Sequence, residues 1–157
     1  MSPIWRNVLR PPARFRKPMT AAELLTNVET AFDDIKRPGT SLRQFKLTDE
    51  KGMSGEITEK EWHQAGKARQ DLKWQEIPEF EIEECGCLLA HMQPEEYLYY
   101  LPAYLHYIVS HHEQSGWEND IVNFMIFNLC PSDTTYDYSI FQHSLLAQEQ
   151  RLVVVAF

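Results

Sequence analysis

The chain has 157 residues, 43% of them hydrophobic and 12% aromatic, enough for one packed domain and short for two. Its net charge is −8 and strongly segregated: residues 1–18 hold five basic side chains and no acid, whereas residues 74–150 hold thirteen acids and no lysine or arginine. Such an acidic body disfavours nucleic acid and anionic lipid as partners, and no apolar run approaches the ~20 residues of a membrane span.

The first segment, residues 1–18, carries Pro3, Pro11, Pro12 and Pro18, which forbid a continuous helix. It reads as a basic, proline-rich, disordered tail ahead of a single acidic helical domain spanning 19–157. Without the tail the net charge becomes −13, ten basic residues against 23 acids. The three cysteines, Cys85, Cys87 and Cys130, are odd in number and follow no signal peptide, which points to free thiols and a cytoplasmic location.

Thr20 and Glu23 form a capping box, in which each side chain satisfies the other residue's backbone amide. Leu24, Val28, Phe32 and Ile35 follow at helical spacing, and Arg37-Pro38-Gly39 ends that helix. Residues 39–55 are polar and hold three glycines, which predicts a loop with a short turn near 42–45. Thr58 and Glu61 make a second capping box before a weakly amphipathic surface helix. Trp74 and Ile77 precede Pro78, which suits a first helical position. Cys85, Leu88, Leu89 and Met92 mark the inner face of the next helix, ended by Gln93-Pro94.

From Pro94 the pattern strengthens. Glu95 and Glu96 favour the positive end of a helix, and Tyr97, Leu101, Tyr104 and Ile108 recur on one face. Pro102 inside it predicts a kink or a split, and the alternation over 97–101 also permits a short strand. Residues 117–129 fit a helix through Val122, Met125, Ile126 and Leu129, while 121–127 would also suit a buried strand. Helix is the preferred reading. A loop over 134–138 and a final amphipathic helix from Leu145 to Phe157 complete the chain. The fold class is therefore mostly α, with α+β as the alternative. The expected core is Leu24, Val28, Phe32, Leu88, Leu101, Tyr104, Leu105, Ile108, Met125, Leu129, Leu152 and Val153.

Four stretches resemble a bacterial family, domain of unknown function 6714. They are Ala31-Phe32 with Thr40-Ser41-Leu42-Arg43, then Trp74-Gln75-Glu76-Ile77-Pro78, then Tyr100-Leu101-Pro102-Ala103-Tyr104-Leu105, and a closing Phe141 to Phe157 segment containing Gln150-Arg151 and Val155-Ala156-Phe157. The resemblance frames residues 20–157 and implies a small cytoplasmic protein beginning near Met19. It carries over no activity and no catalytic residue. Where similar sequences open the last helix with Thr-Pro, this chain has Ala147-Gln148. Ala147 cannot cap, which leaves Ser144 as the cap or a frayed start.

No motif specifies a reaction. Cys87 and His91, at i,i+4, could share a metal, but structural zinc needs four ligands and no second pair stands at a familiar spacing. His106, His111, His112 and Glu113 do not align on one helical face. The acid pairs Glu83/Glu84, Glu95/Glu96 and Glu118/Asp120 read as solvated faces. Among the tyrosines, 97, 100 and 104 share the leucine face, while Tyr99 and Tyr107 flank it. An exposed surface of Tyr99, His106, Tyr107, Glu95 and Glu96 would match interface composition, rich in aromatics and poor in lysine. The sequence thus suggests a small acidic protein that binds a basic protein partner, as an inhibitor or immunity-type protein would. The alternative is a metal-dependent or hydrolytic enzyme using region 85–113. No catalytic residue and no cofactor is read from the sequence, and oligomeric state is left open.

Overall fold

The computed structural model describes residues 19–52, 55–86, 88–113, 120–129 and 136–157, with the backbone alone for 136–140. Among these residues there are eight α-helices and no strand. They are α1 (Ala21–Ala31), α2 (Leu42–Lys51), α3 (Glu59–Lys67), α4 (Glu79–Cys85), α5 (Pro94–Ser110), α6 (Asp120–Leu129), α7 (Tyr136–Leu145) and α8 (Gln148–Ala156). Two 3-10 turns, Trp74–Glu76 and Leu89–His91, stand before and after α4. Neither strand alternative forms: 97–101 lies in α5, and 121–127 in α6.

Both expected capping boxes are present, at Thr20/Glu23 and Thr58/Glu61. Leu24 and Val28 face inward from α1, and α3 has no buried residue, as its weak stripe foretold. The loop expected over 39–55 is a correction: α2 fills most of it. Ser41 caps α2, accepting from the Gln44 amide at 3.3 Å, while Gln44 Oε1 accepts from the Ser41 amide at 2.8 Å. Gln44 Nε2 also donates to the Trp62 carbonyl, tying α2 to α3. A Cβ at Gly66 would stand 3.0 Å from that same nitrogen, so glycine there permits the close approach.

The expected helix through Met92 is also corrected. Cys85, Leu88, Leu89 and Met92 are all buried, but α4 stops at Gly86, whose φ is 55° and ψ −158°. Only glycine adopts this geometry readily, so the inner face continues in a 3-10 turn. Gly86→Ala should lower the urea unfolding free energy by about 1–3 kcal/mol, although a Cβ there would meet nothing within 4 Å.

Helix α5 is central. It packs against α1, α4, α6, α7 and both 3-10 turns, while α8 packs on α1 and α2 on α3 and α4. Residues 97 and 99–105 of α5 are all buried, the pattern of a helix packed on all sides and not of the one-faced helix that the sequence suggested. The helix runs through Pro102 without splitting. Proline removes one intrahelical bond, and burial on every side compensates. Of the expected core, only Leu129 and Leu152 are half-buried; the other ten are buried.

The C-terminal region holds two helices, and α7 begins at Tyr136, inside the expected loop. Ala147 is the N-cap of α8 with no side-chain bond, and Gln150 Oε1 accepts from its amide at 2.8 Å. Ser144 does not cap α8; its hydroxyl donates to the Phe141 carbonyl. Arg151 donates to the Ser144 carbonyl in the last turn of α7 and to the Leu146 carbonyl just beyond it.

Candidate functional site

Among the described residues, the most heavily bonded polar group lies inside the fold. Asp71 and the Arg69 side chain are 2% and 4% exposed. Arg69 Nε and Nη2 donate to the Asp71 carboxylate at 2.9–3.0 Å, and Nη1 donates to the Pro38 and Thr40 carbonyls at 2.6 and 3.1 Å. The Tyr99 hydroxyl donates to Asp71 Oδ2 at 2.6 Å, and that of Tyr100 to the Thr40 carbonyl at 2.7 Å. Arg69 lies over both tyrosine rings, at 5.4 and 5.8 Å. Burial alone would raise the Asp71 pKa, but hydrogen bonds from Arg69 and Tyr99 outweigh it and hold the carboxyl below the usual range.

Tyr99 is therefore buried, which corrects its placement on an exposed flank. Asp71 and Arg69 carried no sequence signal, because two residues in a polar linker become a bidentate pair only when tertiary packing excludes water around them.

The stretches that drew the family resemblance do similar work. Trp74 Nε1 donates to the Phe32 carbonyl at 2.8 Å, and Gln150 Nε2 to the Ala31 carbonyl at 3.1 Å. Tyr100 holds Thr40, and Ser41 caps α2. A family model, DUF6714, described as a family of unknown function, matches residues 20–157. The chain belongs to that family. No curated protein and no solved structure matches it. In this DUF6714 chain the quoted motif residues join α1 to α8, α1 to the Trp74 turn, and α5 to the 38–41 linker. They act as architecture, so the motif itself points to no reaction.

The other predicted site residues scatter. Tyr107 is buried, contrary to its expected exposure, and its hydroxyl donates to Glu83 at 2.8 Å. Burial first, then the bond to Glu83, pushes its pKa up to about 12. Its ring packs against His111, at 4.5 Å between centroids, and His111 Nε2 lies 3.6 Å from Glu79. His106 is half-buried, edge-on to Trp74 at 6.0 Å and 3.5 Å from Glu29. Glu96 accepts from the Gln93 amide at the α5 cap, and Glu95 is exposed. Cys87 lies outside the described residues, and His91 pairs with Asp49 at 3.1 Å. Cys85 is buried, and burial with the nearby Glu81 charge pushes its thiol up to about 11, the reverse of an activated nucleophile. Among the described residues no three His, Cys, Asp or Glu side chains converge as a metal site requires.

What the structure does gather is an acidic edge on α4. Ile82 and Cys85 turn inward, leaving Glu79, Phe80, Glu83 and Glu84 exposed, with Tyr107 of α5 and His111 at its C-cap behind them. Arg43 of α2 reaches this edge, donating to the buried Glu81 at 3.0 Å and to Glu84 at 2.9 Å, and lies 5.9 Å from the Phe80 ring. Glu81 differs from Asp71: burial raises its pKa, and Arg43 only partly offsets this. Phe80 was missed in the sequence, since its exposure depends on which side of a seven-residue helix meets α2 and α5.

Proposed function

We propose that this chain is a small acidic interaction protein that binds a basic protein partner, in the manner of an inhibitor or immunity-type protein. The observation that carries the reading is the acidic α4 edge, where the exposed carboxylates of Glu79, Glu83 and Glu84 flank an exposed phenylalanine and outnumber the single cation there among the described residues, Arg43, which pairs with Glu84. It sits within a segment free of lysine and arginine, where eight of the ten acids with described side chains are exposed. A surface of one sign accelerates association with the opposite sign and rejects like-charged partners. An apolar ring among the charges supplies the desolvated contact that ion pairs alone lack. Tyr107 and His111 support this edge from behind, Glu95 adds an exposed acid on α5, and Tyr99 serves the interior. No helix among the described residues is long and apolar enough to cross a membrane.

Affinity capture from host extract tests the reading, with wild type and the triple variant Glu79→Gln/Glu83→Gln/Glu84→Gln in parallel. One basic protein should be retained at low salt, released at moderate salt, and retained at least tenfold less by the variant, about 1.4 kcal/mol of binding energy. No protein recovered at either salt, or equal recovery by both proteins, would refute it.

A further inference from the structure

The chain carries a cationic segment of its own. Residues 1–18 hold Arg6, Arg10, Arg14, Arg16 and Lys17 and no acid, with Ile4, Trp5 and Phe15 among them. They lead into Met19, which packs against the core and accepts a hydrogen bond from Asn27 Nδ2 at 3.2 Å. The chain from Arg6 to that anchor spans up to ~45 Å when extended. A folded body of this size has a radius of gyration of about 14 Å, so the segment reaches well across it.

The body offers unequal landing places. On α2 and α3 acids stand beside lysines: Glu50 faces Lys46, and Glu61 pairs with Lys51. On α4, among the described residues, no lysine or arginine pairs with Glu79 or Glu83, whose neighbours are His111 and the Tyr107 hydroxyl. Phe80, 51% exposed, lies one turn from Glu83 and Glu84. The edge also shows how it holds a guanidinium. Arg43 bridges Glu81 and Glu84 and lies 5.9 Å from the Phe80 ring. A planar fork between two carboxylates and beside a ring is the contact that arginine makes and lysine does not.

We propose that residues 1–18 dock on the α4 edge of the same molecule and hold it as a tethered autoinhibitor. The inference rests on the reading of that edge as a binding surface and names a regulator for it. Opposite charge supplies the attraction, and the arginines and aromatic rings of the segment supply contact with Phe80. Tethering supplies the concentration. A segment linked to its site meets it at about 1 mM, so a free-peptide Kd near 0.1 mM keeps it docked about nine-tenths of the time. A basic partner must displace it and binds roughly tenfold more weakly than to an open edge.

Trypsin reads the docking in the purified full chain with no partner present. Cleavage after Arg6 and Arg14, followed by mass spectrometry, is compared with the same bonds in a synthetic peptide of residues 1–18. At low salt the chain should be cut at least fivefold more slowly than the peptide, and moderate salt should bring the two rates together. Glu79→Gln/Glu83→Gln should abolish the protection. Glu95→Gln/Glu149→Gln, which removes the same charge elsewhere, should retain it; thermal unfolding establishes that both variants are folded. Protection should be equal at about 2 and 100 µM, because the contact is intramolecular. Equal cleavage of chain and peptide, or protection that survives Glu79→Gln/Glu83→Gln, would overturn the proposal. So would protection that is lost in the control variant, or that grows with concentration, the mark of a segment docked on a second copy. Rapid cleavage in a chain that still captures a basic partner would sink the tail proposal alone. A protected segment in a chain that captures none would support docking and count only against the partner.

Discussion

Asp71→Asn is expected to destabilise the fold by about 3–5 kcal/mol, measured by urea unfolding at neutral pH. The substitution keeps the shape and removes the charge, leaving the Arg69 guanidinium, 4% exposed, without its carboxylate. It also weakens the Tyr99 bond, whose acceptor is the same carboxylate oxygen. Removing one member of a buried pair strands the other in a medium that solvates it poorly. The effect is pH-dependent. The Asp71 pKa is depressed in the fold, so its contribution is complete above the unfolded value of about 3.9 and is lost as pH falls through the lower folded value. The gap between wild type and variant should therefore narrow in strong acid. Glu81→Gln is the control. Its carboxyl is raised in the fold, so the stability tied to it increases as pH falls. A neutral replacement there should cost clearly less than Asp71→Asn. Equal losses at both positions would show that the Arg69–Asp71 pair is not the special one.

Trp74→Ala should cost about 3–5 kcal/mol in the same measurement. The indole is 2% exposed, packs against His106, and donates to the Phe32 carbonyl at the end of α1. Truncation opens a cavity between α1 and α5 and leaves that carbonyl without its donor. Trp74→Phe separates the two effects: it retains most of the volume and should lose about 1–3 kcal/mol. A Phe variant as unstable as the Ala variant would mean that the hydrogen bond, and not the packing, dominates.

These two residues also show where sequence reading reached its limit. Trp74 was visible as an apolar residue before Pro78, but its partner is 42 positions away. Asp71 was not singled out at all, and in a linker it resembles any solvated acid. Tyr99 was placed on the exposed side because α5 was expected to have one. With neighbours all round, α5 buries that side too, and the Tyr99 hydroxyl meets Asp71 instead of a partner. The α2 helix was a different kind of miss. The Ser41/Gln44 box was present in the sequence, and the surrounding glycines outweighed it.

Taken alone, the sequence determined what depends on near neighbours along the chain. The capping boxes at Thr20 and Thr58 and the inward faces of α1 and α5 follow from periodicity and backbone hydrogen bonding, which act over three or four residues, whereas the choice of helix over strand for 121–127 was made by the fold. The family membership follows from patterns of the same local kind. Tertiary structure decided which polar groups are buried in pairs, whether Pro102 breaks its helix, and which aromatic rings face outward. Those outcomes depend on which elements exclude water from one another, a property of positions 28 to 119 residues apart. Hence the acidic segment was legible at once, while the α4 edge required the fold.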